Sequence, residues 1–195
     1  MSYIETVPAE QASGLLSELY DADMKANGFI ANYTRAFSLR PEVNQAWRSL
    51  IGSIRGNMDP RRYELVTLAA AARLRCSYCM VAHGAILRSK FFSPEEVEAI
   101  AHDYRSAGLS DVDVAIMAFA EKVTQNAYKV MEEDIENLRS LGLSDAEVLD
   151  VVLATSARNF FSKVLDGTGA QPDQETYDSL EPNLREALMV GRPIG

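Results

Sequence analysis

The chain has 195 residues, enough for one domain or two small fused halves. Its 47% hydrophobic and 24% charged residues give a globular balance that excludes disorder and collagen-like structure. The 28 acidic against 19 basic residues leave a formal charge of −9, which argues against a broad nucleic-acid footprint and against docking on an anionic membrane. Two cysteines are too few for a secreted disulfide framework, and Met1-Ser2-Tyr3-Ile4-Glu5 lacks the basic and apolar regions of a signal peptide. The longest apolar run, Leu65 to Ala72 broken by Thr67, is far shorter than the roughly 18 residues that span a bilayer. The expectation is a soluble, cytoplasmic protein.

Helix periodicity dominates the chain. From Pro41 to Ile54, apolar side chains fall at Val43, Ala46, Trp47, Leu50, Ile51 and Ile54, the spacing of an amphipathic helix with proline in its first turn. The apolar stretch from Glu64 to Ala72 is long enough for a second helix. Ser93-Pro94-Glu95-Glu96 opens another, with Val97, Ile100, Ala101 and Tyr104 inward and Gly108 as its stop. Ser110-Asp111 starts the next, burying Val114, Ala115, Ala118 and Phe119. Ser144-Asp145-Ala146-Glu147 is a capping box ahead of Val148, Val151, Val152 and Thr155. Gly28, Gly56, Gly142 and Gly167 punctuate the segments. No alternating strand pattern is present, so the predicted fold is all-α. The stretch after Ala170, with Pro172, Asp173, Pro182 and Gly191-Arg192-Pro193, reads as an appendage packed on the core or on a neighbour.

Glu64-Leu65-Val66-Thr67-Leu68-Ala69-Ala70-Ala71 echoes Glu147-Val148-Leu149-Asp150-Val151-Val152-Leu153-Ala154. At the same offset His83-Gly84 falls on Asp166-Gly167, while Cys76 and Cys79 fall on Asn159 and Ser162. The expectation is a single domain over residues 1–195 built on a duplicated helical unit. Its redox core lies at about 60–90 and its degenerate second copy at about 143–170.

Both cysteines lie in Cys76-Ser77-Tyr78-Cys79, with His83 four residues on. In a reducing compartment a C-x-x-C pair reads as redox or metal chemistry rather than a structural disulfide. On a helix, positions 76, 79 and 83 share one face, within about 60° of one another. A helix start and a neighbouring histidine both lower a thiol's pKa, and Arg73 and Arg75 add positive charge to that end. The dipole favours Cys76 as the lower-pKa sulfur, and proximity to His83 favours Cys79. Two other readings stand beside the redox one. The cysteines can be two small buried residues, or Cys76, Cys79 and His83 can supply three zinc ligands. No fourth sulfur or nitrogen is evident for zinc, since His102, the only other histidine, lies on the polar side of its helix. The acidic run Glu132-Glu133-Asp134-Ile135-Glu136 reads as a solvated face. Tyr63, Trp47 and Phe160-Phe161 read as core or subunit contacts.

The stretch Tyr63 to Gly84, with a glutamate, eleven residues, C-x-x-C, three residues and a histidine, resembles the core of the alkyl hydroperoxidase D-like family. That family is part of the carboxymuconolactone decarboxylase superfamily. Gly28 through Tyr33, Arg40 through Val43, and Ala154 through Gly167 resemble its subgroup of peroxidase-related enzymes. The resemblance implies an all-helical fold, assembly into trimers or hexamers, and thiol-dependent reduction of a hydroperoxide with no metal or organic cofactor. It implies that Cys79 attacks the peroxide, that Cys76 resolves the product as a disulfide, and that Glu64 and His83 form the proton relay. An external dithiol would restore the cysteines. The alternatives are a general dithiol–disulfide oxidoreductase and a non-enzymatic redox sensor or assembly protein. Where well-known members carry histidine immediately before the second cysteine, this chain has Tyr78, whose phenol cannot take up a proton at neutral pH as imidazole can. Decarboxylase members generally lack the cysteine pair. Both thiols are expected to be accessible to peroxide.

Overall fold

The structure, a computed structural model, describes residues 2–194. Its helices run in the order α1 (Leu15–Asn27), α2 (Asn32–Ala36), α3 (Pro41–Arg55), α4 (Pro60–Leu74), α5 (Ser77–Lys90) and α6 (Pro94–Asp103). There follow α7 (Asp111–Asn126), α8 (Glu132–Ser140), α9 (Asp145–Thr168), α10 (Gln174–Asp178) and α11 (Pro182–Leu188). Single 3-10 turns lie at Ala9–Gln11 and Ala127–Lys129, and the described residues contain no strand. The fold is all-α. No helix among the described residues is long and apolar enough to cross a membrane.

The helix starts follow local chemistry. Proline occupies the first turn of α3, α4, α6 and α11, where a missing N–H costs nothing. The Asp59 carboxylate caps α4 by accepting from the Arg62 amide at 2.9 Å. Ser93 and Ser144 form reciprocal capping boxes with Glu96 and Glu147. Ser110 caps α7 alone.

The centre of the molecule is α4. Every residue from Tyr63 to Ala71 is buried, so this helix is enclosed on all sides by α5, α7 and α9 rather than laid on a surface. That is why it reads as a continuous apolar run with no polar face. One punctuation mark differs from expectation. Gly167 lies inside α9, which continues to Thr168 and ends at Gly169, whose left-handed φ of 76° turns its N–H back onto the last carbonyls. In that last turn the Thr168 hydroxyl donates to the Val164 and Leu165 carbonyls. The echoing segments therefore differ in form: Glu64–Gly84 is broken at Arg75–Cys76, whereas Glu147–Gly167 is one uninterrupted helix.

The C-terminal appendage packs on the core of its own chain. Leu184 and Leu188 of α11 are fully buried against α5 and α6. Gly84 lets Leu188 in, because a Cβ there would overlap the leucine methyls. Further on, Gly191 lies on the Arg75 carbonyl so closely that any side chain would collide with backbone. Its amide donates to Ser77 Oγ at 2.9 Å. The tail thus closes over the α4–α5 turn, the point where the cysteine motif begins.

Candidate active site

The turn that carries the cysteines is made by Arg75. This C-cap of α4 holds a left-handed φ of 56°, the single non-glycine positive φ among the described residues, and its strain reverses the chain within two residues. Cys76 follows in extended conformation as the N-cap of α5 (φ −91°, ψ 95°), so it stands just outside the helix rather than on its face. Cys79 lies in the first turn of α5. Both cysteines are free and buried, at 0% and 1% exposure.

They are not equivalent. Cys79 lines a cavity of about 600 Å³ with Trp47, Tyr63, Phe161, Ile86 and Leu180 among its walls, and Cys76 does not. The expectation that both thiols meet peroxide is therefore corrected: both are buried, and Cys76 is not among the residues that line the cavity. Around Cys79, Ser162 Oγ donates at 3.2 Å and Arg158 Nη1 at 3.4 Å. Burial pushes the Cys79 thiol up, but the hydrogen bond from Cys76, the charges of Arg158 and His83 and the Ser162 hydroxyl outweigh it. They hold the thiol well below its ordinary value. Cys76 moves the opposite way: its hydrogen bond to Cys79 and its own burial raise it far above the ordinary thiol range. The two sulfurs are thus pulled in opposite directions, Cys79 toward the thiolate and Cys76 toward the thiol.

Arg158 is the residue that sequence reasoning missed. It is buried at 4% exposure, its guanidinium lies 5.4 Å over the Phe161 ring, and no carboxylate among the described residues pairs with it. Its Nε is buried without a hydrogen-bond partner. A guanidinium in a core needs compensating negative charge, and Arg158 stands in the field of the Glu64 carboxylate and touches the Cys79 sulfur. The signal was present in the sequence: Arg158 breaks the apolar face of α9 between Thr155 and Phe161. The arginines singled out instead are elsewhere engaged. Arg73 pairs with Glu121 at 2.8 Å, and Arg75 donates to the Val190 carbonyl at 3.1 Å.

Glu64 of α4 and His83 of α5 face one another, with Oε2 and Nδ1 2.5 Å apart. Thr67 Oγ1 lies 3.3 Å from the same ring nitrogen. Burial would raise the Glu64 carboxyl, yet His83, Arg55 and Arg158 more than offset it and keep it a carboxylate. Both side chains line the cavity with Cys79. His83 Nδ1 is thus occupied by Glu64. No cluster of three or more His, Cys, Asp or Glu side chains suited to a metal occurs among the described residues. His102 is exposed beside Glu98, away from the motif.

Tyr78 has a different task from the imidazole it replaces. Its hydroxyl donates to Asp173 Oδ2 at 2.6 Å and accepts from the Tyr33 amide at 3.2 Å, while Asp173 Oδ1 accepts from the Asn32 amide at 2.6 Å. Burial and the Asp173 charge push the phenol far above its ordinary range, so it carries no proton traffic near neutrality. It ties α5 to α2 and to the C-terminal appendage. Tyr78→Phe removes one donor from the half-buried Asp173 carboxylate and is expected to destabilise the fold by about 1 kcal/mol. A denaturant midpoint equal to that of the unmodified protein would contradict this.

Comparison with known proteins agrees with the resemblance. Residues 41–122 match the model of the carboxymuconolactone decarboxylase family. A search of curated proteins gives no match. Among solved structures, the AhpD core of an uncharacterized peroxidase-related protein from Ralstonia eutropha JMP134 is 25% identical, with a TM-score of 0.83 over 90% of this chain and 94% of that one. An uncharacterized peroxidase-related protein from Silicibacter sp. TM1040 shares the fold at 24% identity and TM-score 0.81, over 90% of this chain and 93% of that one. The debrominase Bmp8, as a cysteine-to-alanine variant with 2,3,4-tribromopyrrole, shares it at 14% identity and TM-score 0.75, over 93% and 100%. The motif, the helical architecture and the family match over α3 to α7 agree on one assignment. Over α3 to α7 the chain is similar to the carboxymuconolactone decarboxylase family, and its fold is that of the AhpD core.

Proposed function

We propose that this protein is a cofactor-free, thiol-dependent hydroperoxide reductase. The observation that carries the reading is Cys79: a thiolate held by Arg158 and Ser162, opening on a cavity beside the Glu64–His83 pair. In this reading Cys79 sulfur attacks one oxygen of the peroxide, the O–O bond breaks, and the departing alkoxide takes a proton from the His83–Glu64 relay. Cys79 becomes a sulfenic acid. Cys76 then attacks the Cys79 sulfur, the S–O bond breaks, hydroxide leaves as water with a second proton, and a disulfide remains. A dithiol reductant returns both cysteines to the starting state, being oxidised to its own disulfide. Such a cycle belongs in the cytoplasm, where thiols are kept reduced.

The exposed apolar residues Leu50 of α3 and Leu149, Leu153 and Phe160 of α9 support assembly of copies, with a trimer or hexamer as the form the resemblance implies. The test is steady-state consumption of an organic hydroperoxide with several dithiols, a lipoyl-type one included. Many turnovers per chain are expected. A single turnover would instead assign a sensor. Reduction of a disulfide substrate with no peroxide consumption would assign a general dithiol–disulfide oxidoreductase.

A further inference from the structure

The cavity that opens on Cys79 is far larger than the smallest peroxide needs. Hydrogen peroxide, roughly two waters in size, would fill about a tenth of its volume of about 600 Å³. Two helices give the cavity its shape. On α3, Trp47, Ile51 and Arg55 fall one turn apart and line it along one face, a run of about 12 Å. On α5, Cys79, His83 and Ile86 do the same. The two faces run in step. Trp47 stacks on Phe161 at 4.5 Å, Arg158 lies 5.4 Å over that same ring, and Arg158 touches Cys79, so these residues mark one end. Arg55 Nη2 lies 3.8 Å from Glu64 Oε1, and Glu64 holds His83, so Arg55 stands farther along. Exposure rises in the same direction. Cys79 is 1% and Trp47 7% exposed, Ile51 and Ile86 are partly buried, and Arg55 and Ser89 are exposed. The cavity is therefore a channel, closed at the sulfur, apolar in its middle between Ile51, Ile86 and Leu180, and open at Arg55.

The other charged groups on its walls are already engaged. Arg88 is paired with Glu181, Asp173 accepts from Tyr78 and the Asn32 amide, Arg158 donates to Cys79, and Glu64 is bound to His83. Arg55 lies 5.3 Å over the Tyr63 ring and donates no hydrogen bond to any described residue, its approach to Glu64 being too long for one. With its side chain 49% exposed, it is a positive charge with free donors at the channel mouth. We propose that the substrate is an amphipathic organic hydroperoxide, an apolar chain with its peroxide at Cys79 and, about 12 Å away, a carboxylate held by Arg55. The proposal rests on the peroxidase reading and names its substrate class. The apolar middle of the channel takes the chain by burial, and the guanidinium fork matches a carboxylate with two parallel hydrogen bonds. Reduction moves the outer peroxide oxygen to the Cys79 sulfur and leaves the hydroxy acid in the channel.

The test reads binding and turnover separately. Trp47, the single tryptophan of the chain, stacks in the channel wall, and its fluorescence reports occupancy. Octanoate is expected to bind about tenfold more tightly than octanamide, which has the same chain and no charge. In Arg55→Gln that advantage should fall to within about twofold, and Arg55→Lys should restore part of it. Ile86→Phe, which narrows the middle of the channel, should weaken both ligands. Equal binding of octanoate and octanamide by the unmodified protein, or an unchanged preference in Arg55→Gln, overturns the proposal. Octanoate binding untouched by Ile86→Phe lies outside the channel and overturns it as well. For turnover, kcat/KM for the ω-hydroperoxy derivative of octanoate should exceed that for its methyl ester by about tenfold, and that for hydrogen peroxide by more. Arg55→Gln should erase the difference between acid and ester, and equal values in the unmodified protein contradict the carboxylate contact. If octanoate binds with the expected preference and no hydroperoxide is consumed, the ligand class of the channel is upheld and the peroxidase reading alone fails.

Discussion

Cys79→Ser is expected to abolish peroxide consumption, and Cys76→Ser to consume one peroxide per chain and stop. The asymmetry follows from the surroundings of the two sulfurs. Cys79 receives hydrogen bonds from Arg158 and Ser162 and opens on the cavity; Cys76 is a sealed thiol whose own hydrogen bond helps hold its neighbour ionised. A serine hydroxyl at position 79 neither ionises near neutrality nor attacks an O–O bond, so no residual turnover is expected. With Cys76 gone, the sulfenic acid at Cys79 has no internal thiol to condense with, because the chain has two cysteines in all. Mass spectrometry after a dimedone-type probe should find one adduct, on Cys79. An adduct on Cys76 in Cys79→Ser, formed at a rate near that of the unmodified protein, reverses the roles. Cys76→Ser should also react more slowly at the first step, since the hydrogen bond from Cys76 is one of the contributions holding Cys79 low.

Much of this arrangement was legible in the sequence, for reasons that can be named. Helix starts at Pro41, Ser93, Ser110 and Ser144 rest on contacts within four residues, so their side chains announce them. Cys79 and His83 were legible from their four-residue spacing on one helix, whereas Glu64 entered only through the family resemblance; it meets His83 because α4 and α5 are consecutive and packed together. Arg158 and Ser162 come from α9, 79 and 83 residues beyond Cys79, and local spacing says nothing about such a meeting. What local reading offered in their place was the nearest positive charge, Arg73 and Arg75, and both point to other partners. The task of Tyr78 was hidden for the same reason, since Asp173 lies 95 residues away in the appendage. The left-handed Arg75 had no signal at all: a glycine would have announced the turn, and arginine does not.

Glu64 and His83 share a hydrogen bond across two helices and stand on the cavity side with Cys79. Acid–base groups and the reactive sulfur thus face one common space.

Arg158→Met is expected to raise the Cys79 pKa toward or above the unperturbed thiol value of about 8.5. Removing the guanidinium deletes a positive charge that touches the sulfur, and burial, which already pushes the thiol up, then meets less opposition. Methionine fills similar volume and brings no charge into the core, so the fold should survive. Below the pKa, each unit of rise lowers the thiolate fraction tenfold, and a loss of roughly 10²-fold in peroxide rate at neutral pH is the expected size. The pH profile gives the sign. In the unmodified protein the folded pKa of Cys79 lies below the unfolded one, so the rate is level from neutral pH upward and falls only as acid protonates the sulfur through its folded pKa. The stability that the charged pair contributes follows the same course: it is fully present above the unfolded pKa and lost as pH falls through the folded one. In Arg158→Met the rate should instead keep rising through alkaline pH, and the acid-side loss of stability due to this pair should vanish. Arg158→Lys keeps the charge and should return part of the neutral-pH rate, though a point charge cannot reproduce the planar contact with Phe161. Titration of the thiolate by its ultraviolet absorbance, done in Cys76→Ser so that one sulfur is observed, reads the pKa directly. If Arg158→Met titrates with the unmodified protein, the guanidinium is packing alone, and the low pKa of Cys79 must come from His83, Ser162 and the first turn of α5.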